Sequence, residues 1–115
     1  EPTAVDMAGM SAQTDGEQVT VQWSTASEAD MAGFQVLRGE AENGPFAPVS
    51  ELIAAQYPGA AQGAAYTYTD REVEKGRTYW YKLQVLKLDG SREPYGLVSV
   101  TVGPRQSVFL PMVKQ

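Results

Sequence analysis

The 115-residue chain contains no cysteine and no histidine. Their absence excludes disulfides, thiol nucleophiles, the common zinc ligand sets and the side chain that most often serves as a general base near neutral pH. Basic residues are also sparse: nine Lys and Arg stand against fourteen Asp and Glu, for a formal net charge of -5. They are scattered along the chain, so no cationic stripe suits nucleic acid, and none is expected as a partner. No apolar run approaches the length of a membrane-spanning helix, and the start lacks the basic-then-apolar signature of a signal peptide. Glu1 in place of Met suggests a mature or excised piece of a longer protein. The lack of Cys leaves the redox compartment open. A chain of this length is expected to form one core, burying roughly two-thirds of its unfolded surface without staples.

What is present is strand signal. Val19, Val21 and Trp23 alternate with Thr20, Gln22 and Ser24, the period of a strand with one buried face. Ser27 to Ala32 reads as a polar connection before a second run, with Phe34 and Val36 inward and Gln35 outward. Asn43-Gly44-Pro45 supplies turn chemistry, and Phe46 with Val49 marks a short strand beyond it. From Leu52 to Ala65 the chain is rich in Ala, Gly and Gln and interrupted by Pro58, which predicts an irregular crossover holding at most one edge strand, with a short helix over Glu51 to Gln56 as an alternative. Tyr66 to Thr69 is a β-prone run ending at Asp70. Along Tyr79 to Lys87, Tyr79, Tyr81, Leu83 and Val85 fall on one side and Trp80, Lys82 and Gln84 on the other. Asp89-Gly90 signals a hairpin into Tyr95 to Val102, where Gly96 permits a bulge. With a weaker strand over Val5 to Ala12, about seven strands result, and an all-β, two-sheet antiparallel sandwich is expected over residues 1–102.

Two segments sharpen that expectation. Val19-Thr20-Val21-Gln22-Trp23, followed by Gly33-Phe34-Gln35-Val36-Leu37-Arg38, resembles the second and third strands of fibronectin type III domains. Val73-Glu74-Lys75-Gly76-Arg77-Thr78-Tyr79 is similar to that family's tyrosine corner, although Lys75 stands where the family often has Pro. The resemblance implies a core centred on Trp23, Phe34 and Val36, and a Tyr79 hydroxyl bonded to backbone near Val73, with Gly76 allowing the turn. The stretches from Trp23 to Glu28 and from Tyr79 to Leu83 look like bacterial versions attached to large secreted or surface proteins. An extracellular or cell-surface location, with neighbouring domains of the same polypeptide as partners, is what that likeness implies.

Chemistry has few candidates. Glu28 with Asp30, or Glu40 with Glu42, could form carboxylate pairs, but both pairs are expected in short solvated loops, where neither carboxyl acquires a raised pKa. No alternating Asp/Asn loop with a closing Glu is present to hold calcium, so no metal or cofactor is expected. Animal relatives carry Arg-Gly-Asp in the hairpin that here reads Leu88-Asp89-Gly90-Ser91-Arg92-Glu93, and the order is wrong. A charged, soluble hairpin is preferred.

The aromatic residues offer a binding hypothesis. Trp80 points away from a core built by Tyr79 and Tyr81, where it could stack on a sugar or anchor a protein, with Tyr57 and Tyr95 as weaker candidates. The preferred alternative is that the 52–65 loop covers Trp80. Residues 103–115 form a tail whose Ser107 to Val113 segment is apolar, with Phe109, Leu110 and Met112 as candidate partner contacts. Folding back as an edge strand ended by Pro111 is preferred over docking on a partner or acting in export. These features favour a non-catalytic accessory or spacer module, ahead of a carbohydrate- or protein-binding module or a C-terminal sorting domain. If the core is placed correctly, Tyr79→Phe costs about 1 to 3 kcal/mol through an orphaned hydrogen-bond partner. Trp23→Ala costs about 3 to 5 kcal/mol as a cavity. Denaturant melts of both variants measure this, and near-zero effects in both would show a misplaced core.

Overall fold

A computed structural model describes residues 6–103. Eight strands form two antiparallel sheets, and no helix occurs among the described residues. Strands β1 (Met7–Thr14), β2 (Val19–Thr25) and β6 (Ala65–Asp70) make a three-stranded sheet in the order β1-β2-β6. Strands β3 (Met31–Gly39), β4 (Phe46–Pro48), β7 (Thr78–Lys87) and β8 (Arg92–Thr101) lie in the order β4-β3-β7-β8, and the two-residue β5 (Ile53–Ala54) also pairs with β3.

The alternation read from the sequence is the alternation of burial. Val19, Val21 and Trp23 from one sheet meet Phe34, Val36, Tyr79, Tyr81, Leu83 and Val85 from the other, all buried. Trp23 stacks on Tyr66 with ring centroids 5.5 Å apart and meets Phe34 edge-on at 5.9 Å, and Phe34 lies 4.8 Å from Tyr66. Such offset and edge contacts suit the quadrupoles of aromatic rings and add to the gain from burial alone.

Several expectations are corrected. The alternative helix over 51–56 does not form: Ile53–Ala54 pairs with Gly33 and Phe34 as β5, and Ala55 donates its N–H to Ala32 O, so the backbone groups that a helix would need are committed to the sheet. That makes eight strands where about seven were expected. Met31, assigned by sequence to a polar connection, already belongs to β3 and is buried. Strand β4 ends at Pro48, one residue before Val49. The expected bulge is present: the β7–β8 register shifts between Tyr81 and Leu83, opposite Gly96, whose φ is +79°.

One end of the sandwich is joined across the sheets by Asp70, the last residue of β6. Its Oδ2 accepts from Arg38 Nη1 on β3 and from the Tyr81 hydroxyl on β7, both at 2.8 Å, and its Oδ1 accepts from the Glu72 N–H at 3.1 Å. Beside it the Glu74 N–H donates to the Tyr79 hydroxyl at 2.9 Å, next to the partly buried Val73. Gly76, at φ +87°, donates its N–H to the carbonyls of Val102 and Gly103. Removing one member of a buried ion pair strands the other. Asp70→Asn is therefore expected to lower the unfolding free energy by about 3 kcal/mol, read as a drop in the urea midpoint, whereas a midpoint equal to that of the parent would show that the contact holds nothing.

Candidate functional site

Two places combine polar chemistry with unusual burial or apolar groups with unusual exposure. The first is at the end of the sandwich opposite Asp70. Glu28, expected in a solvated loop, is fully buried there. Its Oε2 accepts hydrogen bonds from the Thr25 hydroxyl at 2.8 Å and the Tyr66 hydroxyl at 2.5 Å, and its Oε1 accepts from the Tyr57 N–H at 2.8 Å. Its backbone is used too, with its N–H on Ala60 O and its carbonyl accepting from Gly59 and Met31. The Gln56 N–H donates to the Tyr66 oxygen, the Thr25 N–H donates to Ala64 O, and the Ala64 N–H donates to the Thr25 hydroxyl. Gly63 lies so close to Thr25 that an added Cβ would sit 2.1 Å from its carbonyl oxygen, so only glycine fits. The irregular 55–64 segment is thus fastened to the β2–β3 connection.

Burial pushes the Glu28 carboxyl pKa up, but the hydrogen bonds from Tyr66, Tyr57 and Thr25 outweigh burial and hold it below its ordinary value of 4.5. The Tyr66 phenol moves the other way, to about 12, because burial and its bond to the carboxylate both favour the neutral donor. A buried carboxylate that stays ionised and spends both oxygens on its own fold is neither a general acid nor accessible to a substrate. Among the described residues no group of three or more His, Cys, Asp and Glu is arranged to hold a metal.

The second place is the outer face of the five-stranded sheet. Trp80 is flanked across the strands by Gly39 and Ser99, and Lys82 by Leu37. Phe46 pairs with Gly39, and its ring lies 3.0 Å from where a Gly39 Cβ would stand, so the missing side chain admits the ring. Lys82 Nζ sits 4.3 Å above that ring. Leu97, within the bulge of β8, is 45% exposed, while Trp80, Leu37 and Phe46 are half-buried.

The 52–65 loop does not cover Trp80. It is tied to β3 at Gly33 and Phe34, whereas Trp80 pairs with Gly39 at the other end of that strand, about 20 Å away. Nor do the three aromatic candidates share a surface. Tyr57 is exposed on the loop that Glu28 holds, and Tyr95 faces inward, opposite Leu83 and against the core. Phe109, Leu110 and Met112 lie outside the described residues. Glu40 and Glu42 are exposed, and Glu40 pairs with Arg77 at 3.0 Å.

The solved structures that share this arrangement decide its architecture. A Fn3-like protein from Clostridium thermocellum superposes with a TM-score of 0.62 at 19% identity, covering 95% of each chain. The fold is fibronectin type III-like. The same architecture occurs inside a β-1,2-glucanase from Parabacteroides distasonis, with a TM-score of 0.64, 17% identity and coverage of 90% of this chain but 13% of that one. In sequence, an amylopullulanase from Thermoanaerobacter thermohydrosulfuricus is 24% identical over 88 residues, which are 76% of this chain and 5% of that protein's length. No family model matches the chain. No helix among the described residues is long and apolar enough to cross a membrane.

Within this fibronectin type III-like frame the Glu28 network predicts a pH dependence. A carboxyl whose folded pKa is lowered adds stability above its unfolded value, and that stability disappears as pH falls through the folded value. Thermal melts of the parent chain are therefore expected to lose stability as pH falls below about 4.5, and Glu28→Gln to flatten that acid limb while costing about 1 to 3 kcal/mol at pH 7. An unchanged acid limb in the variant would remove Glu28 from this role.

Proposed function

We propose that this chain is a non-catalytic accessory module of a larger secreted bacterial protein, one that spaces, stabilises or presents a neighbouring domain. The observation that carries the reading is how the two buried carboxylates among the described residues are used. Glu28 and Asp70, the acidic groups best shielded from water, have both carboxylate oxygens bound by groups of their own fold. An active site needs such a group free to meet a substrate.

The relatives support the same reading. The matched segments are small parts of a glucanase and an amylopullulanase, which supports reading this fold as one module among several. Enzymes named for polymeric glucans meet substrates too large to enter a cell, which favours an extracellular or cell-surface setting. A carbohydrate-binding reading has less geometric support, because Trp80, Tyr57 and Tyr95 lie in three different places and form no common platform. The sorting-domain alternative rests on the tail beyond residue 103.

The test uses the isolated 115-residue chain with starch, pullulan, β-glucan and pectin. It is expected to release no reducing sugar, to stay in the supernatant of the insoluble polymers, and to unfold in one cooperative transition that none of these polymers shifts. Sugar release by the isolated chain would overturn the reading. Retention on a polymer, abolished by Trp80→Ala, would replace it with the binding module.

A further inference from the structure

We propose that the free edge of β6 pairs with β6 of a second copy of the chain, antiparallel about a two-fold axis at Tyr68, so that two three-stranded sheets join into one. This goes beyond the accessory reading, which concerns a neighbouring domain of the same polypeptide. A sheet edge is a row of unpaired backbone groups, and proteins guard it with charge, proline, bulges, short strands or a cover. Three of the edges here are guarded in these ways. Strand β1 has a bulge between Met7 and Gly9, and a Cβ added at Gly96 of β8 would sit 2.7 Å from the Met10 sulfur, so β1 and β8 close on one another. Strand β8 also carries Arg92, Glu93 and Pro94. Strands β4 and β5 are three and two residues long, and β4 ends at Pro48. Strand β6 has none of these devices. Ala65-Tyr66-Thr67-Tyr68-Thr69 contains no charge, Pro or Gly, favours extended backbone, and runs against β2 without a register shift.

The pairing identifies which backbone groups of β6 face outward. Opposed residues of an antiparallel pair alternate between those that exchange backbone bonds and those that do not. The Thr25 N–H donates to Ala64 O, so Tyr66, Tyr68 and Asp70 turn their backbone groups toward β2, and Ala65, Thr67 and Thr69 turn theirs away. The Gln56 side-chain amide agrees with this, donating to Ala65 O at 3.4 Å from the outer side. Among the described residues nothing binds the N–H or C=O of Thr67 and Thr69 on that side.

The symmetry of the edge selects the occupant. Thr67-Tyr68-Thr69 reads the same in both directions, so an axis at Tyr68 sets Thr67 opposite Thr69 of the second copy and Thr69 opposite its Thr67. These are the residues whose backbone groups are open, and each pairing exchanges backbone bonds and sets Thr beside Thr, a favourable cross-strand pair. Charge points the same way. A net charge of -5 opposes self-association over most of the surface. The outer face of the three-stranded sheet is different: it presents Ser11, Gln13, Thr20, Gln22, Thr67 and Thr69, none of them ionisable. Two copies joined through β6 continue that neutral face. The contact from Gln56 to Ala65 stays in place, and the Tyr68 hydroxyl remains on Val49 O. An interface this short lies at the small, weak end of protein contacts, so pairing is expected at concentrations on the order of millimolar.

Sedimentation and amide exchange on the intact chain test this together. As concentration rises to about 2 mM, the weight-average mass is expected to climb from the monomer toward the dimer. Over the same range the Thr67 and Thr69 amides are expected to exchange severalfold more slowly, whereas the Tyr66 and Tyr68 amides, bonded to β2, stay protected throughout. Thr67→Lys combined with Thr69→Lys places like charges opposite one another across the axis and is expected to weaken association about tenfold, even though it brings the net charge nearer to zero. If that variant fails to fold, exchange in the parent chain decides alone. A monomer mass at every concentration would overturn the proposal, as would Thr67 and Thr69 amides whose exchange does not change with concentration. A double variant that associates as strongly as its parent would also overturn it, by moving the contact to another face.

Discussion

No disulfide ties the two sheets of this protein together, and one carboxylate takes on much of the task of joining them. Asp70 closes β6 of the three-stranded sheet and is bound by Arg38 and Tyr81 of the five-stranded one. Removing a charge from water is costly, and a buried pair recovers that cost only when its remaining lone pairs are also satisfied. Here they are, since Glu72 supplies an N–H to the second oxygen and Arg38 also donates to the Glu72 carbonyl. The arrangement extends further. The Arg38 guanidinium lies 5.4 Å from the Tyr79 ring, and the Tyr79 hydroxyl holds the Glu74 N–H, so the turn between β6 and β7 is positioned through the same side chain that neutralises Asp70.

Glu28 answers Asp70 at the other end, with a different balance. Among the described residues no cation pairs with it, and its charge is stabilised by hydrogen bonds, two from hydroxyls and one from the Tyr57 backbone. Hydrogen bonds to an ionised acceptor are roughly twice as strong as neutral ones, which is how three of them offset desolvation. Between the two ends lies the aromatic layer of Trp23, Phe34 and Tyr66. Tyr66 belongs to both systems: its ring stacks on Trp23 and its hydroxyl meets Glu28. The Trp23 indole N–H, by contrast, has no partner among the described residues, so that side chain contributes through area and stacking against the cost of one unmet donor.

How much of this was legible depends on the range of the interaction. Strands β2, β3 and β7 were readable because a period of two is a local property, and the Asp89-Gly90 turn because its chemistry is local too. Strand β5 was not, since two residues with no periodicity are held to β3 only by long-range pairing. Glu28 looked like any loop acid, because what buries it comes from Tyr57 and Tyr66, about thirty and forty residues away in sequence. One signal was there to be used. Tyr81 was read as an inward-facing phenol, a buried hydroxyl needs a partner, and in a chain without histidine the natural acceptors are carboxylates. The position of the 52–65 loop failed for a similar reason, because the register that anchors it far from Trp80 is set by β3.

This division of labour bears on where function can reside. Inside, the ionisable groups that burial could have made reactive are consumed in joining sheets and fastening a loop. Chemistry of that kind favours permanence, since a carboxylate with both oxygens bound has no idle state from which to act. What the fold leaves available is shape and apolar area, and the outer face of the five-stranded sheet supplies both. There Gly39 lets the Phe46 ring lie against the sheet, Lys82 caps that ring, and Trp80 stands between two of the smallest residues on neighbouring strands. On that face the apolar groups are held by contact with one another and with the Lys82 stem, so what it presents to the outside is area and shape.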